Sequence, residues 1–311
     1  MPAVAGISGG RTSAMMAYLL DLDVVLSFQN TGREAAGTYD FIARLEQDLR
    51  RPITRLEYRA PARGEPPIKS TFEIVRHGEL SRRGEPFIDL LECMRTYRKQ
   101  HKNAGPVAPW ARSRVCTAYL KIRTQRKFCA SLGWGTQKDY TEYVGLRADE
   151  PLRLARMRKR NDDFDTDERA PLADANVTKA DVLAFWSDRP FDLTVPEYLG
   201  NCTACFLKDE ADLATAMMHD ETDAPWWNAI EENYAPMRRG RPSYAQVFAE
   251  APDRMLIREA LRTNAALIPT TNLSPRRRKL IIDQELAPRT PFSCECDAAK
   301  ADDFDDSLEA A

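Results

Sequence analysis

The stretch "VAGISGGRTSAMMAYLL", residues 4–20, joins a short apolar run to a segment of helical composition through two adjacent glycines. It predicts a β-strand over residues 4–7, a turn at residues 8–10, and a helix over residues 12–20. Glycines let a backbone approach a ligand closely, and the first amides of a helix have no acceptor within it. The helix dipole adds a favourable potential, so this turn is a candidate anion site. A tight strand–helix connection that binds nothing has the same local pattern.

The elements that follow repeat this order. Residues 24–28, "VVLSF", predict a second strand, residues 38–49 an amphipathic helix, and residues 52–58 a third strand. Strands that alternate with helices at this spacing are typically parallel and joined by right-handed crossovers. The expected fold class is therefore α/β, with a doubly wound, mostly parallel sheet. Ligands of such sheets bind beyond the carboxyl ends of the strands, where the loops at residues 8–10 and 29–34 would lie.

The rest of the chain changes character. Residues 142–150 predict a strand that ends in a loop, and residues 168–191 a loop followed by a helix with Thr178 as its N-cap. Residues 60–109 are rich in Pro, Gly and charge, which predicts a mobile lid or an excursion from the sheet. From residue 201 onward the pattern is mainly helical. Two domains are therefore expected: an α/β domain over residues 1–195 and a mainly helical region with clustered cysteines over residues 196–311.

Composition is that of an ordinary globular protein. The chain has 311 residues with 45 Lys+Arg against 47 Asp+Glu, so its net charge neither favours nor excludes nucleic acid. Three basic runs, at residues 153–160, 238–241 and 275–279, keep a phosphate-rich partner open, although such runs are usually solvated faces. No apolar stretch approaches the roughly 20 residues that span a bilayer. With no secretion signal either, we expect a cytoplasmic protein that does not interact with membranes.

Four segments carry the most specific pattern: "SGGRTS" at residues 8–13, "NTGRE" at residues 30–34, "GLRADEPLR" at residues 145–153 and "PLADA" at residues 171–175. In this order they resemble the PP-loop adenine-nucleotide enzymes, specifically the branch similar to phosphoadenosine phosphosulfate (PAPS) reductases. The resemblance covers residues 4–206 and implies the HUP/PP-loop type of α/β fold.

The chain departs from this family at several positions. Arg11 and Thr12 replace the more usual Lys and Asp, and Asn30 replaces Asp. Arg11 keeps a cation that could bind phosphate with two hydrogen bonds. The loss of two carboxylates leaves a requirement for Mg2+ open.

The resemblance implies ATP, or a related adenylyl nucleotide such as PAPS or APS, as the bound cofactor or substrate. It implies nucleotide contacts from two loops and one glycine: Ser8, Gly9, Gly10, Arg11, Thr12, Ser13, Asn30, Thr31, Gly32, Glu34 and Gly145. It also implies catalytic cations that neutralise charge developing during transfer: Arg147, Arg153 and Lys121.

The cysteines suggest a metal or redox site. Cys202 and Cys205 form a C-x-x-C pair, and Cys116, Cys294 and Cys296 lie elsewhere in the chain. The spacing fits an iron–sulfur cluster on the first three and one of the last two, a structural zinc in the same cage, or a redox pair with unrelated thiols. The resemblance favours a four-iron, four-sulfur (4Fe-4S) cluster, with Cys294 as our choice of fourth ligand.

Two further features of the sequence keep more than one interpretation of the cysteines open. The adjacent Cys-Cys pair typical of the family's cluster-binding reductases is absent. Reductases without a cluster use a lone C-terminal cysteine as nucleophile, and Cys294 or Cys296 could take that role. Cys93 and Cys129 are expected to be structural and to lie on helices.

We therefore expect an enzyme that adenylates a substrate oxygen with ATP, releases pyrophosphate and then transfers sulfur. One alternative is reduction of a sulfonucleotide with release of sulfite. Another is a component of nucleic-acid modification that acts on tRNA or DNA, and a nucleotide sensor without catalytic activity is a third. A sulfur-donor protein is a further expected partner.

Overall fold

A six-stranded sheet organises the first part of the chain in this computed structural model, which describes residues 1–102, 107–265 and 268–287. Its strands are β1 (Ala3–Gly6), β2 (Val25–Asn30), β3 (Ile53–Arg59), β4 (Thr71–Val75), β5 (Thr141–Tyr143) and β6 (Asp167–Arg169). Their order across the sheet is β4-β3-β2-β1-β5-β6. β4 pairs with β3 in antiparallel fashion, and the other neighbours are parallel. The predicted α/β class with a mostly parallel sheet is confirmed.

Helices cover both faces of this sheet and form the C-terminal part of the described chain. They are α1 (Arg11–Leu19), α2 (Ala36–Leu49), α3 (Glu85–Gln100), α4 (Thr124–Ser131), α5 (Pro151–Phe164), α6 (Pro171–Asp174), α7 (Lys179–Ser187), α8 (Glu210–Met217), α9 (Ala224–Tyr234), α10 (Tyr244–Arg262) and α11 (Pro275–Leu286). A π-helical segment, Cys116–Arg123, leads directly into α4.

The two faces of the sheet bury different clusters. Ala5 and Leu26 pack with Phe41 of α2 and Trp186 of α7. Val4 points the other way and packs with Cys129 of α4, because successive side chains of a strand alternate between faces. α1, α2 and α7 therefore lie on one face, and α4 on the other.

The point where the strand order reverses lies between β1 and β5. From β1 the chain proceeds outward to β2 and β3 on one side, and β5 and β6 lie on the other. Val4 of β1 pairs with Val25 of β2 and with Glu142 of β5. Two neighbouring parallel strands whose following loops diverge leave a crevice at their carboxyl ends. The loops after β1 and β5 border this crevice.

Residues 60–109 differ from the prediction of a mobile lid or excursion. They contain β4, which extends the sheet, and α3, which is sixteen residues long. Phe87, Leu90, Leu91 and Met94 recur at helical spacing and are buried. This apolar stripe, masked in the sequence by the Pro-, Gly- and charge-rich surroundings, holds α3 against the core. The predicted helical positions of Cys93 in α3 and Cys129 in α4 are confirmed.

The C-terminal helices share a hydrophobic cluster with elements of the sheet region. Leu91 of α3 and Tyr119 of the π-helical segment are in one buried cluster with Leu213, Trp227 and Tyr244. The described residues after position 200 are helical, as predicted, and contain no strand. The domain boundary between residues 195 and 196 stays a prediction. No helix in the described ranges combines the length and apolar character needed to cross a membrane.

Candidate functional site

The glycine turn, which we define as residues 8–13, closes on itself between β1 and α1. The Ser13 hydroxyl accepts a hydrogen bond from the Ser8 amide at 3.0 Å and donates to the Gly10 carbonyl at 3.1 Å. The first intrahelical bond runs from the Ala14 amide to the same carbonyl, so the amides ahead of Ala14 have no acceptor within α1. The turn thus presents backbone donors at the carboxyl end of β1, as an anion site requires.

Gly9 is needed for this shape. Its φ of +79° is in the left-handed region, and a Cβ there would lie 2.4 Å from Cγ2 of Thr38. Thr38 belongs to the first turn of α2, so the two helix starts after β1 and β2 are in direct contact. A side chain at position 9 would force them apart.

The loop after β5 packs against the other side of the turn. A Cβ on Gly145 would lie 3.0 Å from the Cα of Ser13, so a side chain there would require the backbone of the turn to shift. Arg147 donates to Thr12 Oγ1 at 3.3 Å and to Asp149 at 2.8 Å. The structure therefore brings the predicted Gly145 and Arg147 to the glycine turn. Arg153 is linked to Arg147 through Glu150: the Arg153 guanidinium donates to the Glu150 carboxylate, which also accepts from the Arg147 amide.

Arg11 is engaged within the protein. Its guanidinium forms a two-point ion pair with Asp192, at 2.7 and 2.8 Å, and donates to the Leu193 carbonyl at 2.6 Å. The Trp186 indole donates to the Arg11 carbonyl at 3.0 Å. Sequence reasoning missed Asp192 because nothing local connects it to the turn. The prediction that Arg11 contacts phosphate stays a prediction, and it requires Arg11 to leave this carboxylate.

Asn30 at the end of β2 is fully buried and organises the second loop. Its amide nitrogen donates to Glu57 at 2.7 Å and to the Ser81 carbonyl at 2.8 Å. Its oxygen accepts from the Gly32 amide and from the Tyr39 hydroxyl, both at 3.0 Å. These four bonds occupy both ends of the side chain. Asn30 therefore fixes the shape of the second loop, and its contact with the nucleotide stays a prediction.

Glu34 links this second loop to the cysteines. Its carboxylate accepts from Thr31 Oγ1 at 2.7 Å and from the Tyr39 hydroxyl at 3.2 Å. Thr31 Oγ1 lies 3.3 Å from Cys202 Sγ, and Glu34 forms an isolated antiparallel bridge with Cys202. Gly32 has a φ of +78° and would place a Cβ 2.9 Å from the Gly84 amide, so this loop is tightly packed. The predicted nucleotide-binding loop and the C-x-x-C pair are thus direct neighbours.

Lys121 interacts electrostatically with three cysteines, Cys116, Cys202 and Cys205, which we call the cysteine cluster. Burial and the Glu34 carboxylate together raise the pKa of Cys202 to about 12, although the Lys121 ammonium opposes both. Burial likewise raises the pKa of Cys116 to about 11 against the same ammonium. Burial disfavours the charged form of Lys121, but Cys202, Glu34 and the other two cysteines outweigh it and raise its pKa. The charges of Lys121, Glu34 and the cysteine cluster therefore influence one another.

Lys208 is bonded to the segment just before the C-x-x-C pair, and sequence reasoning missed it. Its side chain is fully buried and donates to the carbonyls of Tyr198 and Gly200. Burial lowers the pKa of Lys208 to about 8, while Cys205 and Cys202 act in the opposite direction. A lysine three residues after a C-x-x-C pair has no recognisable signal of its own, since only the fold shows that it points inward.

The predicted metal site is described only in part. Cys294 and Cys296 lie outside the described residues. Within the described ranges, no three His, Cys, Asp or Glu side chains converge closely enough to hold a metal ion. Cys116, Cys202 and Cys205 are therefore neighbours without a ligand geometry, and the four-cysteine cluster stays a prediction.

Two of the basic runs are used for internal contacts. Arg238 is buried and donates to the carbonyls of Phe206, Lys208 and Pro242. Arg277 pairs with Glu210 and Glu250. Arg277 thus joins α11 to α8 and α10, and Arg238 holds the loops that precede α8 and α10.

Comparison with known proteins gives one clear relationship. No protein-family model matches the chain. Among curated proteins, the chain is 30% identical over 234 residues to the "Uncharacterized nin region protein ORF290" of Escherichia phage lambda. The alignment covers 70% of this chain and 70% of the phage protein.

Proposed function

We propose that this chain, which belongs to the family of the phage lambda nin region protein ORF290, is an adenine-nucleotide-binding enzyme of the PP-loop type, similar to PAPS reductases. The name of the phage protein assigns no activity, so the proposal rests on the site. The observation that carries it is the position of the glycine turn at the point where the strand order reverses. Ligands of α/β sheets bind at such points, and a strand–glycine–helix turn there suits a polyphosphate.

The turn offers several kinds of donor to a polyphosphate. The backbone amides of residues 9–12 and the exposed hydroxyl of Ser8 would bind its oxygens. Arg147, held beside the turn through Thr12, would neutralise charge that develops during transfer. Arg153 and Lys121 would add cationic charge farther from the turn.

We expect ATP to be the nucleotide and adenylation to be the first step. A substrate oxygen attacks the α-phosphorus, the bond to the β-phosphate oxygen breaks, and pyrophosphate leaves. A sulfur nucleophile then forms a bond to the activated atom of the substrate, and AMP departs with the oxygen. The cysteine cluster, which adjoins the second loop, would act on or carry the sulfur.

A second function is favoured by one observation, the proximity of Lys121 to Cys202. The ammonium opposes the burial and the Glu34 carboxylate that hold the pKa of Cys202 well above neutrality, and so it increases the fraction of thiolate, which is the nucleophile. This thiolate would attack the sulfur of a sulfonucleotide, so that the S–O bond to the adenosine phosphate breaks and a Cys–S–SO3− group forms on the enzyme. A second thiol would then attack the cysteine sulfur of this group, form a disulfide and release sulfite, so that the two thiols supply the two electrons. The predicted iron–sulfur cluster applies to both functions and is tested by iron and sulfide counts on anaerobically purified protein.

Calorimetry with ATP, APS and PAPS on the full chain tests nucleotide binding. We expect at least one of them to bind, and Ser13→Ala to weaken it because both bonds that close the turn are lost. Ser187→Ala is the matched control, since its hydroxyl is exposed and donates only to its close neighbours in sequence, the Ala184 carbonyl and the Asp188 carboxylate. Pyrophosphate release from ATP then identifies adenylation, and sulfite release from APS or PAPS identifies reduction. No heat with any of the three nucleotides would overturn the proposal.

A further inference from the structure

A surface cleft of about 340 Å³ lies on the opposite face of the sheet from α1 and α2. One wall is the outer face of α4, with Arg123, Arg126, Lys127 and Ala130. The other wall is formed by residues 135–137 and by Tyr140, which precedes β5. Its volume falls within the range of about 300–1,000 Å³ typical of ligand pockets. We call it the α4 cleft.

The helix geometry explains why these cations share one side. Residues spaced by three, four and seven positions lie on one face of a helix, as Arg123, Arg126, Lys127 and Ala130 do. Gln125 faces the opposite way, toward the sheet, where its amide contacts Ser27 and Glu142. The three charged side chains line the cleft, and Arg126 also interacts electrostatically with the Glu142 carboxylate of β5.

The groups in the cleft match the chemistry of a phosphate. Arg123 stacks on Tyr119 with 5.2 Å between the guanidinium and the ring centroid, which holds its positive charge at the wall of the cleft. Lys127 is anchored by the carbonyls of Ile68 and Ser70 and adds a fixed positive charge. Asp139, the acidic group at the rim, is engaged by the amide and hydroxyl of Thr136. Tyr140, which is buried beside Cys129, also lines the cleft.

We propose that the α4 cleft is a second anion site, separate from the glycine turn, which binds a phosphate group. The phosphate could belong to the backbone of a single-stranded nucleic acid or to a small phosphate compound. Ala130, Gly135 and Thr136 are exposed, so the site opens to solvent and admits a chain as well as a free ion. The inference does not depend on the function of the glycine turn.

Binding of a fluorescein-labelled single-stranded oligothymidylate, measured by anisotropy at several salt concentrations without ATP, tests the nucleic-acid source. Arg126→Gln and Arg123→Gln should each weaken binding about tenfold, the value of one charge-assisted hydrogen bond. Each should also lower the slope of log affinity against log salt by about one. Arg126→Lys, which keeps the charge, should restore most of the affinity and all of the slope.

The matched control is Arg44→Gln, the same charge change at an exposed position of α2, on the other face of the sheet. It should leave binding unchanged. Calorimetry with inorganic phosphate tests the small-molecule source with the same variants. An effect of the two cleft variants on either probe, without an effect of Arg44→Gln, supports the site and identifies its source. Equal behaviour of cleft and control variants with both probes, at unchanged melting temperatures, would overturn it.

Discussion

Different kinds of contact determine the structure of the sheet region and of the C-terminal helices. At the edge of the sheet, close backbone approach decides the structure, as at Gly9 and Gly145, where an added Cβ would collide with Thr38 and Ser13. Among the C-terminal helices, buried ions decide it. Arg254 is 1% exposed and bonds to Glu285 at 2.8 Å and to Glu210 at 2.6 Å, which ties α10 to α11 and α8.

The cysteine cluster lies where these two regions meet and depends on both. Thr31 and Glu34 approach Cys202 from the tightly packed loop after β2. Lys208 holds the C-x-x-C turn from the C-terminal side through two carbonyls. Substitutions in the first region should therefore act through steric collision, and those in the second through unpaired buried charge.

The largest effect is expected for Arg254→Leu. It leaves Glu285, which is 2% exposed, with one fewer cation in the interior. Breaking a buried pair by removing one partner costs about 3–5 kcal/mol of unfolding free energy. Urea unfolding at neutral pH measures this loss.

The control for Arg254 lies on the same helix. Arg262 pairs with Glu259, and their side chains are 71% and 59% exposed. Arg262→Leu should change the unfolding free energy by less than about 1 kcal/mol, as for other surface pairs. Similar losses of unfolding free energy in both variants would mean that a buried ion pair stabilises the C-terminal helices no more than an exposed one.

In the sheet region, Gly9→Ala is expected to have the next largest effect. Gly9 and Gly133 both have positive φ, +79° and +80°, but a Cβ on Gly133 meets nothing within 4 Å. Gly133→Ala therefore measures only the strain of the backbone, about 1–2 kcal/mol. Gly9→Ala should cost a further 1–3 kcal/mol or so, because Thr38 and α2 must shift.

Nucleotide binding separates these two glycine variants again. Gly9→Ala should abolish the binding of ATP, APS or PAPS that the proposed function requires, whereas Gly133→Ala should retain it. Calorimetry on both proteins, after their melting temperatures are known, makes the measurement. Equal stability and equal binding in the two variants would show that the close approach of Gly9 to Thr38 is unimportant.

The same contrast explains how far the sequence could predict the fold and the site. The glycine turn and its flanking strand and helix are local, so the pattern of residues 4–20 was sufficient to locate them. The capping role of Thr178 was also predictable, because the hydroxyl and Asp181 are three residues apart. β4 was missed, and only the part of α3 around Cys93 was predicted, since their apolar positions are interspersed with charged residues that indicate a loop.

The surroundings of the cysteines could be predicted only in part. Their clustering followed from residue type, but the coupling of Lys121 and Glu34 to them joins three distant segments. Arg11 shows the same limit: its place in the turn was predictable from the sequence, but its ion pair with Asp192 was not. Side-chain partners far along the chain leave no periodic pattern in a single sequence.

At the junction of the two regions, Lys121→Met should lower the reactivity of the thiols. The ammonium lowers the pKa of Cys202 and Cys116, so its removal raises both. Below the pKa, each unit of increase reduces the thiolate fraction about tenfold. We expect alkylation of both cysteines to slow by roughly three- to tenfold and its pH profile to move upward.

Mass spectrometry after timed iodoacetamide treatment measures each cysteine separately. Lys121→Arg keeps the charge and should retain most of the reactivity. Lys138→Met removes an exposed lysine that pairs with Asp165 and should change nothing. If Lys121→Met alkylates as fast as the wild type, the charge of Lys121 does not govern these thiols.

The smallest effect is expected for Thr178→Ala at the start of α7. The Thr178 hydroxyl accepts from the Asp181 amide, and the Asp181 carboxylate accepts from the Thr178 amide at 2.8 Å. Loss of such an N-cap costs about 1 kcal/mol. Thr178→Ser, which keeps the hydroxyl, should recover most of it in the same urea unfolding experiment. This exposed cap forms within one turn of chain and water can replace part of it, whereas no water replaces Arg254 beside Glu285. A loss for Thr178→Ala as large as that for Arg254→Leu would therefore show that local hydrogen bonds stabilise the sheet region as strongly as buried ions stabilise the C-terminal helices.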